Sequence, residues 1–146
     1  MQPVPEPTPR HHGAQTKARK AALDILYASD LRGTGAVETL LEVRSLGEAT
    51  LRDLTVSLVH GVASHRSDID RRISASLAGG WTLERMPAID RNLARIAVFE
   101  LDHTDTPPSA VIAEAVKLAA ELSTDDSPPF LNGLLSRALA TKPLDN

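Results

Sequence analysis

Pro87-Ala-Ile-Asp90-Arg-Asn-Leu93-Ala-Arg95-Ile-Ala-Val-Phe99-Glu100-Leu101 is the stretch that decides the fold. Ile89, Leu93, Ile96 and Ala97, with Phe99 or Leu101, recur at helical spacing and form one apolar stripe. Pro87 suits a helix start, where its missing N–H costs nothing. Just upstream, Trp81-Thr82-Leu-Glu-Arg-Met86 reads as a short helical turn capped by the Thr82 hydroxyl. Before it, Gly79-Gly80 breaks the pattern and marks an internal boundary.

Working toward the C-terminus, Thr106-Pro107-Pro108-Ser109 ends this helix, and Ser109 is placed to cap the next. The stripe of that helix is Ile112, Ala115, Val116, Ala119 and Leu122. Ser127-Pro128-Pro129 then pairs a capping hydroxyl with proline at a helix start, and Asp125 and Asp126 complement the positive end of the helix. Phe130, Leu131, Leu134, Leu135 and Ala138 give the last stripe. Gly133 within it costs about 1 kcal/mol relative to alanine, which predicts close approach of a neighbouring helix, with Asn132 bonded to a backbone group.

Toward the N-terminus the same period recurs. Ala18, Ala22, Ile25, Leu26 and Ser29 share a face of a helix from Ala14 to Leu31, with Gly33 as its C-terminal cap. Val37, Leu40 and Leu41 mark a short second helix. Leu51, Leu54, Thr55, Leu58 and Val62 mark a third, and Ile69, Ile73 and Leu77 a fourth. Aromatic residues make up 3% of the chain and β-branched alternation is nearly absent. These patterns predict an all-α fold of about seven helices in two small helical subdomains, residues 14–78 and 81–141. The tail, residues 1–13, alternates proline with other residues and is expected to stay extended and disordered.

The 146 residues contain no cysteine, which excludes disulfide scaffolds, cysteine-ligated metals and thiol nucleophiles. The N-terminus has neither a signal-peptide core nor a transit-peptide pattern, and no stretch approaches the roughly 18 apolar residues of a membrane span. A cytoplasmic protein is expected. His60 and His65 fall on different faces of a helix, and His103 and Asp105 have no nucleophile at a motif spacing. No phosphate-cradling glycine motif occurs. The chain reads as a binding protein, with no enzymatic activity and no cofactor or metal.

The net charge of −3 conceals an asymmetry: residues 10–20 hold four basic side chains and no acid, while residues 21–146 hold 12 basic and 18 acidic ones. A basic arm on an acidic body suits a polyanion at one end and a basic partner elsewhere. Lys17 and Lys20 are three apart, Arg10 can fold back from the preceding coil, and Arg19 points partly elsewhere. Four phosphate contacts correspond to a salt slope of about 3 on single-stranded nucleic acid, which is weak binding. Stacking platforms for bases come from Tyr27, Trp81, Phe99 and Phe130 or from nowhere.

Four blocks, in this order, resemble the NusB family of transcription antitermination factors. They are Lys17-Ala-Arg19 leading into Ala22-Leu23-x-Ile25-Leu26-Tyr27; Trp81 with Pro87 to Leu101; Val111-Ile-Ala-Glu114-Ala-Val-x-Leu-Ala119; and Asp126-Ser-x-x-Phe130-Leu-Asn132-Gly133-Leu-Leu. The likeness runs from about residue 14 to 140. It implies an all-α fold of two helical subdomains and a non-enzymatic protein. It also implies binding to the boxA element of ribosomal RNA leader transcripts together with the ribosomal protein NusE, alongside other Nus factors and RNA polymerase. The family's basic N-terminal motif maps onto residues 15–20. The resemblance thus implies Lys17, Arg19 and Lys20 as phosphate contacts and Tyr27 and Phe130 as base or sugar contacts, with Asp126 on the same RNA-facing surface, and the charge distribution adds Arg10 to this RNA-binding set. Gln15 and Thr16 stand where basic residues are common, and Pro129 where one can occur, so RNA binding is expected to depend on NusE. Glu100, Asp102 and Glu114 are the candidate contacts to that basic partner.

Two rival readings remain at this level. A NusB-like domain also precedes the catalytic domain of some ribosomal RNA cytosine-5 methyltransferases, but no catalytic cysteine or cofactor loop is present. A helical DNA-binding regulator would carry a second, basic recognition helix, and none is apparent. A homodimer that hides the RNA surface until NusE arrives is compatible with the sequence but has no residue pattern behind it.

Overall fold

The computed structural model describes residues 13–47 and 50–142. Arg10 and the proline-rich tail before Gly13 lie outside the described residues. Among the described residues seven α-helices follow one another: α1 (Ala14–Arg32), α2 (Ala36–Leu46), α3 (Asp53–Ser64), α4 (Arg66–Ser76), α5 (Ala88–His103), α6 (Pro108–Leu122) and α7 (Ser127–Ala140). A single 3-10 turn, Leu83–Arg85, precedes α5. Among the described residues there is no strand.

Helix α5 is the axis of the molecule. Every residue from Asn92 to Leu101 is buried, and α5 packs against α1, α3, α4, α6 and α7. A helix enclosed on all sides must be apolar or internally paired around its whole circumference. Leu93, Ala94, Ile96, Ala97, Val98, Phe99 and Leu101 supply the apolar part, whereas Asp90, Asn92, Arg95 and Glu100 are buried polar side chains on the same helix. Each fully buried leucine or isoleucine contributes about 1.5–3 kcal/mol, and the apolar cluster runs without interruption from Ala22 in α1 to Ala138 in α7. The glycine pair is therefore a backbone joint, with φ of 64° at Gly79 and 77° at Gly80, set beside a core that both halves share.

The first helix follows its sequence pattern: Ala18, Ala22, Ile25, Leu26 and Ser29 are all buried, and Gly33 closes it in the left-handed region at φ 67°. The Thr82 hydroxyl accepts from the Arg85 N–H at 3.3 Å, as a cap should.

Four local expectations are corrected. Ser109 is exposed inside the first turn of α6, which starts at Pro108 with Pro107 as N-cap; the pre-set φ of proline begins the helix two residues early. The buried face of α6 is Val111, Ala115, Leu118 and Ala119, with Ile112 and Val116 only half-buried. Ser127 is the first residue of α7 and not its cap. Its hydroxyl donates to Asp90 Oδ2 at 2.8 Å and accepts from the Thr124 N–H at 3.2 Å. At Gly133 no neighbouring helix approaches: an added methyl group would meet only Arg137, on its own helix, and Asn132 is exposed. The close approach lies at Gly61 instead, where a methyl group would overlap the Phe99 ring of α5.

Candidate nucleic-acid interface

Helical phase sorts the basic residues of α1. Lys17 is exposed and Lys20 half-exposed, and Asp24 and Tyr27 continue the same outward stripe. Lys20 Nζ lies 4.0 Å from Glu121 Oε1 near the end of α6. At that end the chain turns through Ser123 to Asp126 into α7, where Asp126 is exposed and Phe130, four residues on, is half-buried. Phe130 meets Trp81, whose ring centroid is 5.2 Å away at an interplanar angle of 57°. Trp81 is 45% exposed.

Arg19 goes the other way, and the expectation that it contacts phosphate is corrected by its burial. Its Nε and Nη2 donate to Glu100 Oε1 and Oε2 at 2.7 and 2.8 Å, and its Nη1 lies 3.7 Å from Glu114 Oε2. The hydrogen bonds to Glu100 raise the Arg19 pKa above its ordinary value, against burial, which alone would lower it. The signal was present in the sequence, because Arg19 is seven residues from Leu26 and so shares its inward face. Thr16 is also buried, donating to Glu114 Oε2 at 2.8 Å.

The three acidic partner candidates are all engaged within the molecule. Glu100 is 2% exposed, so its assignment to a partner surface is corrected. Asp102 accepts from Arg72 Nε and Nη2 at 2.8 and 3.0 Å, and Glu114 holds Thr16. Arg72 and Asp102 also line a cleft of about 510 Å³ between α4 and the ends of α5 and α7. Guanidinium and carboxylate there already satisfy each other.

What the sequence did not reveal is how the pieces are held together. Two adjacent residues at the start of α5 do it. Asp90 Oδ1 and Oδ2 accept from the Ser123 and Ser127 hydroxyls at 2.5 and 2.8 Å, fixing the α6–α7 turn. Arg91 Nε donates to Asp30 Oδ2 of α1 at 2.9 Å, and its Nη1 donates to the carbonyls of Leu83 and Met86 at 3.1 and 3.0 Å. Asp30 also accepts from Asn92 at 3.0 Å and from Arg95 at 3.3 Å. Burial opposes ionisation of Asp30, but the hydrogen bonds of Arg91 and Asn92 and the charges of Arg91 and Arg95 prevail, and its pKa lies below the ordinary value.

The described histidines form no ligand set. His65 and His103 stack at 3.9 Å beside Phe99, and among the described residues no group of three or more metal-ligating side chains occurs. Among them, too, no helix is long and apolar enough to cross a membrane.

Fold and surface together define a class: an all-helical protein with a lysine and aromatic face, built on a core whose charged groups are spent on one another. The NusB family model matches residues 16–140, and the chain belongs to the NusB family. The transcription antitermination protein NusB of a Nocardioides species is 48% identical over 131 residues, 89% of this chain and 96% of that protein. That of Salinispora tropica is 54% identical over 128 residues, 85% and 93% of the two chains. The structure is also similar to T. maritima NusB (TM-score 0.78, 28% identity, covering 90% of this chain and 94% of that one). It is similar as well to a structure of antitermination factors NusB and NusE in complex with double-stranded RNA (TM-score 0.75, 28% identity, 86% and 96% covered). Membership in this family of antitermination proteins means that the protein is not an enzyme. The methyltransferase reading finds no support among these relatives, which are NusB proteins of nearly the same length.

Proposed function

We propose that the protein binds the boxA element of ribosomal RNA leader transcripts in the cytoplasm. It does so jointly with NusE, in an assembly with other Nus factors on RNA polymerase that suppresses premature termination. The observation that carries this reading is the outward stripe of Lys17, Lys20 and Tyr27 on α1, running past the end of α6 toward Asp126 and Phe130. A relative of the same fold solved with NusE and RNA supports it. Lys17 and Lys20 contact phosphates, and Tyr27 and Phe130 lie against sugar or base. Two lysines neutralise little charge, so the RNA complex depends on NusE, which docks on the acidic body through complementary charge.

The test is binding of labelled boxA RNA with and without NusE, as a function of salt. Replacing Lys17 and Lys20 by alanine should weaken the NusE-dependent complex and lower its salt slope by about 0.7 per lysine. Tight RNA binding without NusE, or an unchanged slope in the double variant, would overturn the reading.

A further inference from the structure

We propose that Trp81, backed by Phe130 and flanked by Arg85, is a stacking platform for one unpaired nucleobase of the bound RNA. This rests on the RNA-binding reading above and extends that surface beyond α7 to the turn before α5.

Trp81 is the only tryptophan of the chain, and 45% of it faces solvent. An indole left this open forgoes a large burial term unless something covers it. Its ring is nevertheless held in place. Phe130 braces it at 5.2 Å, and the Arg85 guanidinium carbon lies 6.0 Å from the ring centroid, within reach of a cation–π contact.

The backbone beneath is equally fixed. Gly79 and Gly80 adopt positive φ, which side-chain-bearing residues rarely do, and the Trp81 N–H donates to Ala78 O at 3.3 Å. Thr82 caps the following turn, Met86 is buried beneath it, and Arg91 binds the Leu83 and Met86 carbonyls. A braced ring on a fixed turn is pre-organised and loses little freedom on binding.

The surroundings decide the occupant. Glu84 and Arg85 follow Trp81 by three and four residues, Asp125 and Asp126 precede Phe130 by five and four, and all four are exposed. Charged residues are depleted at the desolvated centre of protein–protein contacts, which argues against an apolar protein anchor here. A nucleobase fits better. Its π-face stacks on indole, its N–H edge can donate to a carboxylate, and the adjoining phosphate pairs with Arg85. The carboxylates disfavour a continuous run of phosphates, and a base inside a duplex has no free face. An unpaired base is therefore required.

The single tryptophan reports on its own occupancy. With NusE present, a short single-stranded boxA RNA should quench Trp81 fluorescence, with the same midpoint as the anisotropy of the end-labelled RNA. The Trp81→Phe variant serves as the blank for any tryptophan of NusE. A blunt duplex of the same sequence should not quench. Trp81→Ala should weaken RNA binding between about 5- and 150-fold at temperatures where it remains folded, and Trp81→Phe should restore most of the affinity. Undiminished binding to Trp81→Ala with no quenching overturns the platform and leaves the RNA-binding reading intact. Quenching by NusE alone, with loss of NusE binding in Trp81→Ala, also overturns it, in favour of a protein contact. Failure of labelled RNA to bind the unaltered protein sinks the reading itself and is seen before any variant is compared.

Discussion

Arg19 and Glu100, 81 residues apart in sequence, are joined by two hydrogen bonds of 2.7 and 2.8 Å at the contact between α1 and α5. The first basic helix is thereby locked to the central helix by a residue that sequence motif alone places on the RNA. Both side chains are almost fully buried, and removing one partner of such a pair leaves the other charge uncompensated at a cost of about 3–5 kcal/mol. Glu100→Ala should therefore lower the melting temperature by about 10 °C or more. Arg19→Ala should do the same, yet below its melting point its RNA complex should keep the salt slope of the unaltered protein. Lys17→Ala should show the reverse, with little change in melting and a slope reduced by about 0.7. A smaller slope with intact stability in Arg19→Ala would return that residue to the RNA surface.

Gly61 and Phe99 make a second contact with a measurable consequence. The Phe99 ring occupies the space where a Cβ on Gly61 would stand, and Phe99 is buried in the core. Gly61→Ala should destabilise the protein by about 1–3 kcal/mol through overpacking, even though alanine favours the helix. Combining it with Phe99→Leu should recover part of that loss. Denaturant midpoints of the four proteins in the double-mutant cycle measure the coupling, and strictly additive effects would exclude the steric account.

These two contacts show where the sequence was informative. Period and punctuation are local signals, so α1, its Gly33 cap and the Thr82 turn were legible from neighbouring residues. Buried polar pairs are not local. Arg19 revealed its inward phase through Leu26, but nothing near it names Glu100, and nothing near His60-Gly61 names Phe99. Ser127 carried the right signal for a helix start and a different use, because Asp90 lies 37 residues away in sequence. In the candidate site, Lys17 and Lys20 were visible as charge and Trp81 as a scarce aromatic. The joint made by Asp90 and Arg91 depends on three chain segments meeting at the start of α5.

Asp30 gives the acid limb of the stability profile a named contributor. Its pKa is held below the ordinary 3.8, because the hydrogen bonds and charges of Arg91, Asn92 and Arg95 outweigh its burial. A carboxylate with a depressed folded pKa contributes stability that is fully present above its unfolded value. That contribution is lost as pH falls below about 4 toward the folded value. Urea midpoints measured from pH 6 down to pH 2 should show the unaltered protein losing stability more steeply than Asp30→Asn below about pH 4. Parallel curves through that range would remove Asp30 from the acid limb.

Asp90 tests whether the α6–α7 turn is positioned from below. The Ser127 hydroxyl is buried at 1% exposure, and Asp90 holds both it and Ser123. Asp90→Ala removes the carboxylate that accepts from both hydroxyls and leaves Ser127 only the neighbouring Ser123 and Thr124 hydroxyls, which should cost about 1–3 kcal/mol. The loss should be local as well as global: amide exchange at residues 123–127 should accelerate more than exchange in α3 or α4. Asp126 and Phe130 are carried by that turn, so boxA binding should weaken in Asp90→Ala at temperatures where the protein remains folded. Asp90→Asn keeps one acceptor oxygen and should restore most of both effects. Uniform acceleration of exchange across all helices, with RNA affinity unchanged, would reduce Asp90 to a stability residue and detach it from the candidate interface.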